Sequence, residues 1–503
     1  MVNTNFSDIA LITQQQNDLS ILGQFPLSLG PPIPQFDPTY SALINGLHQS
    51  TPLASPVTIG VSNWLVTESI NGNMGWTQGF STGAQLSVNF NNTRQSTNAI
   101  RYTYNPLLNS SLTFTFTQPL LRGFGIELNR RFIRIARNSQ EIADLVFQQQ
   151  VIDTVAGVAR LYTDLVSLNE DVKVKREALR LAERLYIDNK DKVEQGTLAP
   201  IEVTRAEAQV AANRGALVTA IGLVEQQELI LKRMITRGGL AIPAILSAHI
   251  IATDTLDVPQ VDPIRPVQDL IAEAVRRRPD LVQARIQVDN SFIHLEGSRN
   301  ALKPALDLVG MVENGGLSGD LNRFATLTPG QLLLPGGFGE TLGQVFRNNF
   351  PTYSIGVQLT LPIRNRIAQA DEVRDELQVR QTELSRQRFE DQIRLEVANA
   401  YVALRQAKVA YDAAVQSRVL QEQSVDVERQ TYEVGLATNY LMIQYETLLA
   451  QAQSTEVAAK GSYAKAKIAL DRATASTLDV YHVSIQEAEK GRVSRPPARI
   501  PNQ

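Results

Sequence analysis

Proline is absent from three long tracts of the chain, Leu120 to Ala199, Ile201 to Ile242 and Ile363 to Arg495. An interior proline costs a helix about 3 kcal/mol, so tracts of this length rich in Ala, Glu, Gln, Arg and Leu are where unusually long helices can run. Glycine is scarce there too. After Gly123 and Gly125 the first tract holds only Gly157 and Gly196, and the third only Gly435, Gly461 and Gly491.

Apolar residues in these tracts recur at alternating steps of three and four. One series is Val158, Leu161, Leu165, Leu168 and Val172, and another is Val397, Ala400, Leu404, Ala407 and Tyr411. This is a heptad seam of the kind that packs helices along their length. Tyr162 and Tyr401 sit at the same place beside each seam. A soluble helical bundle satisfies this pattern as well as a longer coiled coil does.

A shift of 239 residues lays the chain on itself: Val158 falls on Val397, Tyr162 on Tyr401, Leu165 on Leu404, Gly196 on Gly435, Glu207 on Glu446 and Leu231 on Leu470. A shared glycine inside glycine-poor helix, flanked by shared seams, marks an internal repeat. Both glycines, in VEQGTLAPIEV and YEVGLATNYLM, read as tight reversals between antiparallel helices. Pro200, or Thr438 and Asn439, would start the helix that follows.

Upstream of each long helix stands a strand signal ending at a proline. Leu112, Phe114 and Phe116 alternate with Thr113, Thr115 and Thr117 before Pro119; Tyr353, Ile355, Val357 and Leu359 alternate with Ser354, Gly356, Gln358 and Thr360 before Pro362. A partner run extends from Phe80 to Asn91, and Ala305 to Val312 is a fourth, less regular candidate. The polar faces carry hydroxyls, amides and glycine in place of the Lys and Glu usual on a soluble strand, and about 10 residues is what a tilted strand needs to cross a bilayer. A membrane barrel is therefore favoured over a soluble sheet. Four strands cannot close, because the smallest barrels have about eight, so closure would require several copies of the chain.

Composition narrows the function. The chain has 503 residues and no cysteine, which removes thiol nucleophiles, disulfides and thiolate metal sites. With Lys+Arg 48 against Asp+Glu 51 it lacks the basic excess of a nucleic-acid binder. His48, His249, His294 and His482 are too scattered to form a local cluster, and no paired carboxylate, Ser/His arrangement or metal spacing is visible, so neither an enzyme nor a cofactor is expected. Met1 to Asn17 shows no signal-peptide pattern, and the prolines of residues 20 to 60 read as an irregular arm.

The two strand-proline-helix junctions, the reversals at Gly196 and Gly435, and Arg278-Pro279-Asp280-Leu281 together resemble the outer-membrane efflux protein family, the trimeric TolC-like ducts of Gram-negative bacteria. The tract SRNALKPALDL ahead of the third strand is similar to the family's as well. The resemblance covers about residues 75 to 475. It implies a mainly α chain with a membrane β-barrel part and long antiparallel coiled-coil helices in a two-fold repeat, with four strands per chain making a 12-stranded trimeric barrel. The organisation would be 1–74 proline-rich arm, 75–122 first barrel hairpin, 123–236 first helical hairpin, 237–303 equatorial segment, 304–363 second barrel hairpin, 364–472 second helical hairpin and 473–503 equatorial tail. The GGFG of Gly336 to Gly339 lacks the following Lys and Ser or Thr of a phosphate-binding loop and falls in a glycine-rich external loop, Glu313 to Phe350.

The resemblance also implies partners and sites: a homotrimer in outer-membrane lipid, extending into the periplasm and docked to a periplasmic adaptor and an inner-membrane pump. A soluble periplasmic coiled-coil adaptor or spacer is the alternative. The adaptor would meet the helix tips at Gly196, Thr197, Leu198, Gly435, Leu436 and Ala437, unless the glycines only turn the chain. A periplasmic gate would link Tyr432 to Glu202, unless these are a packed seam residue and a solvated acid. The family's inward acidic ring falls here on Leu441 and Gln444, which are neutral; Glu433 and Glu446 are the other acids near the constriction. From the alternation alone, a charge at Phe114 or Val357 should cost about 2 to 4 kcal/mol near the bilayer midplane, and the same charge at Thr115 or Gln358 should be tolerated. Urea titration of heat-modifiable gel mobility would read the difference, and equal tolerance would mean the faces are misassigned.

Overall fold

The computed structural model describes residues 35–54, 60, 63–236, 241–260, 265–325, 332–434 and 436–491. The chain divides into two compact units, one of residues 1–140 and 286–383 and the other of 141–285 and 384–503.

The first unit holds a six-stranded sheet in which every neighbour is antiparallel and the order follows the sequence: β1 (Thr39–Pro52), β2 (Trp64–Gly79), β3 (Gln85–Thr97), β4 (Tyr104–Pro119), β5 (Ala305–Leu321) and β6 (Phe350–Thr360). The four-strand expectation is thus corrected to six, and a 12-stranded wall no longer follows from three copies. The residues expected to form an irregular arm supply β1 and most of β2. Pro38 precedes β1 and Pro52 ends it, positions that leave the ladder between them intact. Phe80 to Ala84, expected as strand, forms the β2–β3 turn, with Gly83 at φ +96 and the Phe80 N–H donating to the Ala84 carbonyl at 2.8 Å. The expected external loop is partly β5, which continues to Leu321, and partly a helix.

Pairing carries one alternation across the whole sheet. On one face Tyr40, Trp76, Val88, Phe114, Val312 and Tyr353 fall in a single cross-strand row; on the other, Thr39, Thr77, Ser87, Thr115, Met311 and Ser354 do. Phe114 and Val357 remain 40% and 64% exposed on the apolar side, although strands flank Phe114 on both sides and Val357 on one. Large apolar side chains standing free on a sheet face need a non-aqueous neighbour. No helix among the described residues is long and apolar enough to cross a membrane.

Where β4 ends, Pro119 pairs with Asp307, and the Leu120 N–H donates to the Leu306 carbonyl at 2.7 Å. The short helix α1 (Ile126–Asn129) follows. Asn129 Nδ2 donates to the carbonyls of Gly123 and Gly125 at 2.8 Å each, and the Gly123 N–H donates to Asn300 Oδ1 at 2.7 Å. After β6, Pro362 lies in the connection to the next helix, and Asn365 Nδ2 reaches the Ala301 and Leu302 carbonyls at 3.3 Å each. Both prolines stand where the chain leaves the ladder, as an imino acid without an N–H requires.

The long helices are α2 (Arg131–Glu194), of 64 residues, followed by α3 (Pro200–Ile235), the short α4 (Pro243–Ser247), α5 (Val267–Arg277) and α6 (Pro279–Ala301). Helix α7 (Phe338–Phe346) lies between β5 and β6, and beyond β6 come α8 (Arg366–Glu433), of 68 residues, α9 (Asn439–Ala473), α10 (Thr477–Val480) and α11 (Ile485–Lys490). Helix α7 packs on the apolar side of the sheet at Gly316, where an added Cβ would stand 2.2 Å from the Thr341 carbonyl oxygen. Gln344 Oε1 accepts from the Leu317 N–H there at 2.9 Å.

In the second unit the expected seam is the core. Val397 and Leu404 are buried with Leu270, Ala274, Leu281, Ile393 and Tyr463, and Ala400, Tyr401 and Ala407 pack against them. Tyr162 instead donates its phenol to Asp254 at 2.7 Å. The Arg-Pro-Asp-Leu segment is the bend between α5 and α6. Pro279 pushes Arg278 to an extended ψ of 122, ending one helix and starting the next. The buried Arg278 guanidinium then donates to Asp280 and to Glu396 of α8, both at 2.6 Å, and Leu281 is fully buried. Arg472 of α9 continues the network to Asp153 of α2 at 2.6 Å and to Glu396 at 3.9 Å.

Removing one member of a buried charge cluster leaves the others unpaired. Arg278→Ala should therefore destabilise the protein by about 3 kcal/mol. Chemical denaturation monitored by helical circular dichroism checks this, and a midpoint unmoved from wild type would show that Asp280 and Glu396 are satisfied without it.

Candidate functional site

The features the sequence singles out for docking and gating lie around the two helix reversals of the second unit, and the backbone explains the first of them. Gly196 has φ +74, its N–H donates to the Val193 carbonyl at 2.9 Å, and the Thr197 N–H donates to the Lys192 carbonyl at 2.9 Å. These paired bonds cap the last free carbonyls of α2 in a Schellman motif, which calls for glycine at the left-handed position. Pro200 is then the first residue of α3. At the second reversal the Leu436 N–H donates to the Thr431 carbonyl at 3.0 Å, the equivalent long bond. Thr438 caps α9, its side chain accepting from the Leu441 N–H at 3.4 Å. Gly435 itself lies outside the described residues, as does the side chain of Glu433.

The tips present unequal surfaces. Leu436 is 82% exposed and Thr197 is exposed, while Leu198 and Ala437 are half-buried. An exposed leucine at a helix reversal gains nothing from the chain's own core. Leu441 and Gln444, on the first turns of α9, are exposed as well.

The structure does not join Tyr432 to Glu202. The Tyr432 phenol donates instead to Asn189 Oδ1 at 3.1 Å, and Lys192 Nζ lies 4.2 Å from the centre of its ring. Glu202 accepts from Asn439 Nδ2 at 3.1 Å and from Arg205 at 2.6 Å. Each residue thus ties one helical pair to the other, but through an amide. Tyr432 links α8 to α2, and Asn439 links α9 to α3. The two asparagines are the residues sequence reasoning missed as ties. Their only signal was an amide within two helical turns of a reversal: Asn189 seven residues before Gly196, and Asn439 four after Gly435. Gln209 adds a third link from α3 to α9, donating to Thr447 Oγ1 at 3.2 Å.

Both asparagines are buried, and each keeps one polar atom without a partner among the described residues, Nδ2 in Asn189 and Oδ1 in Asn439. The ties are therefore only half satisfied, and a buried unmet amide atom costs about 1 to 3 kcal/mol. Close by, burial pushes the Glu446 carboxyl above its ordinary pKa, and Arg429, 3.8 Å away across the α8–α9 reversal, offsets part of that.

With this geometry in view, the profile of the outer membrane efflux protein family matches residues 78–237 and 270–476, and the chain belongs to that family. Solved structures share the fold. The Campylobacter jejuni CmeC outer membrane channel is 16% identical, with a TM-score of 0.59 over 95% of this chain and 83% of its own. The outer-membrane channel OprN is 14% identical, with a TM-score of 0.56 over 93% and 85%. Vibrio cholerae VceC, an outer membrane protein, is 13% identical, with a TM-score of 0.55 over 87% of each chain. No curated protein sequence matches. The family is one of channels rather than enzymes.

Glu446 gives the tip region a pH signature. Because its folded pKa is raised, the folded protein retains a proton that the unfolded chain has released between the ordinary carboxyl value and the raised one. Stability should fall as pH rises through that window, and Glu446→Gln should remove that part of the slope. Melting temperature measured against pH for both proteins decides it; parallel slopes would assign the dependence to another group.

Proposed function

We propose that this protein is a passive exit duct of the outer membrane, a homotrimer that docks to a periplasmic adaptor and an inner-membrane pump in a tripartite efflux or type I secretion system. The observation that carries this reading is the sheet: one face bears a row of large apolar side chains, Tyr40, Trp76, Val88, Phe114, Val312 and Tyr353, across all six strands, the matching row of the other face is mostly hydroxyls, and each of its two C-terminal hairpins leads into a helix of more than 60 residues. A soluble coiled-coil spacer has no use for such a face. The family membership supports an efflux channel role in the outer membrane.

The adaptor meets the reversals, at Gly196, Thr197 and Leu198 and at Gly435, Leu436 and Ala437. The exposure of Leu436 supports this, since apolar side chains at a free tip are covered when a partner helix packs on them. The gate is the set of amide ties above the tips, and Leu441 and Gln444 line the aperture. Tyr432 and Glu202 act in it through Asn189 and Asn439. Neutral lining offers divalent cations no dense carboxylate site, so cation block at the aperture is weak.

Leu198→Asp with Leu436→Asp should abolish efflux by whole cells while outer-membrane fractions still contain trimers. Normal efflux together with normal adaptor crosslinking would remove the reversals as the contact. A purified protein of monomeric mass that forms no conducting pores in planar bilayers would remove the duct.

A further inference from the structure

Positive charge gathers at the end of the sheet where the long helices begin. The tracts that join strand to helix there, Leu120 to Asn138, Asn300 to Leu306 and Leu361 to Ala370, all lie in the first unit and hold eight arginines and lysines against one acid, Glu127. The whole chain has a formal net charge of -3, so this surplus of seven is local. Main-chain and amide contacts bring the tracts together: the Arg122 N–H donates to the Pro304 carbonyl at 3.2 Å, and Asn365 Nδ2 to the carbonyls of Ala301 and Leu302 at 3.3 Å each. Acids in and beside the tracts are already engaged. Arg134 holds Glu127 at 3.0 Å and Glu296 at 3.9 Å, Arg299 holds Glu372 at 3.6 Å, and Arg374 holds Asp371 at 3.1 Å. Arg130, Lys303, Arg364 and Arg366 are exposed, and none has an ion pair among the described residues. The helix ends add to this charge. Helices α3, α5, α6 and α7 each carry an acid in the first turn, where the helix dipole favours one, whereas α2 and α8 have none and begin with Arg131 and Arg366.

We propose that this collar binds the phosphates of anionic phospholipid, in the leaflet on the side where the helices leave the membrane, through Arg130, Lys303, Arg364 and Arg366. Two observations favour a lipid surface. The first is continuity with the apolar side chains of the strands: Phe116, Leu359 and Leu361 are exposed at the end of the sheet, and Ile363, next to Arg364, is 97% exposed. A basic side chain beside such a wall lays its methylenes on hydrocarbon and keeps its charge among headgroups, where anionic lipid attracts it. The second is that the protein offers no substitute anion. Rotational symmetry sets the collar of the next copy at the same height, so a neighbouring chain adds charge of the same sign. Phosphate oxygens, by contrast, accept from a guanidinium through two bonds at once and suit the positive start of a helix. The inference rests on the outer-membrane duct reading for the presence of a leaflet at this height.

The test gives the full-length protein, purified in detergent, equal amounts of phosphatidylglycerol and phosphatidylcholine, and measures the lipid retained after washing by mass spectrometry, with the protein's mass in detergent followed by light scattering. A cation at an anionic surface is worth roughly fivefold in binding, so the unaltered trimer should retain phosphatidylglycerol over phosphatidylcholine by about tenfold or more. Salt at about 0.5 M should bring that ratio toward parity. So should the combined variant Arg130→Gln, Lys303→Gln, Arg364→Gln and Arg366→Gln. A control that removes four exposed or half-exposed cations of the second unit, Lys173→Gln, Arg176→Gln, Arg388→Gln and Arg405→Gln, should keep the preference. Should the fourfold collar variant fail to fold, Arg364→Gln with Arg366→Gln alone should still lower the ratio several-fold. A trimer whose unaltered form shows no preference, or which loses it equally in both fourfold variants, would overturn the collar while leaving the duct reading intact. Displacement of phosphatidylglycerol by an equal concentration of inorganic phosphate would overturn lipid as the ligand and leave a site for the free anion. A monomeric mass would overturn the duct reading instead.

Discussion

A backbone placed in hydrocarbon cannot borrow hydrogen bonds from water, and this constraint governs the rest of the molecule. It explains why the apolar alternation is confined to strands that pair along their lengths, and why the prolines of the described strands stand at or near strand ends, Pro106 beside the register shift of β4. Pro119 is the last residue of β4, Pro362 lies just beyond β6, and Pro52 closes β1. Outside the sheet the same chain can afford helices whose apolar content is too low to cross a membrane, because their carbonyls are satisfied internally and their seams are covered by one another.

The helical unit solves a different problem. Long helices joined only by heptad packing could slide, and the contacts that oppose sliding here are polar. Arg278 sits at a bend made by Pro279, so its guanidinium is held at the end of one short helix and the start of another while it grips Glu396 of α8. A planar donor with several N–H groups can serve Asp280 and Glu396 together, which a lysine could not do with the same geometry. Arg472 then carries the network from α9 to Asp153 of α2. The Arg-Pro-Asp-Leu segment is thus better understood as a register pin than as a helix signature.

Much of this was legible in the sequence where local rules and tertiary packing agree. Strands β4 and β6 were visible because large apolar residues alternate with small polar ones, and the long helices because nothing in those tracts interrupts them. The first hairpin was hidden for two physical reasons. Prolines at positions 38, 52 and 56 resemble a disordered arm until it is seen that they flank β1 rather than interrupt it. In β2 the alternation of Ile70, Met74 and Trp76 is broken by Gly72, in a stretch whose asparagines and glycines resemble turns. The tip ties were partly legible. Tyr432 and Glu202 were found as candidates, but their partners are asparagines on helices distant in sequence, and no local rule says which of two amides a phenol will reach.

That substitution of amides for a direct phenol–carboxylate bond bears on how firmly the reversals are held together. An ionised acceptor would make each tie charge-assisted and roughly twice as strong as a neutral one. Here the Tyr432 tie ends on a neutral carbonyl oxygen, and the carboxylate of Glu202 is shared between Asn439 and Arg205. Among the described residues the buried amides also retain an unmet donor in Asn189 and an unmet acceptor in Asn439, so exposing them to water would recover hydration that burial denies them. Ties with a small net worth are easily parted, since a binding partner shifts an equilibrium by as much as it prefers one state over the other. Beside the charge network that pins α5, α6, α8 and α9, the Tyr432–Asn189 bond is a neutral contact, and it is the weaker polar link between the long helices.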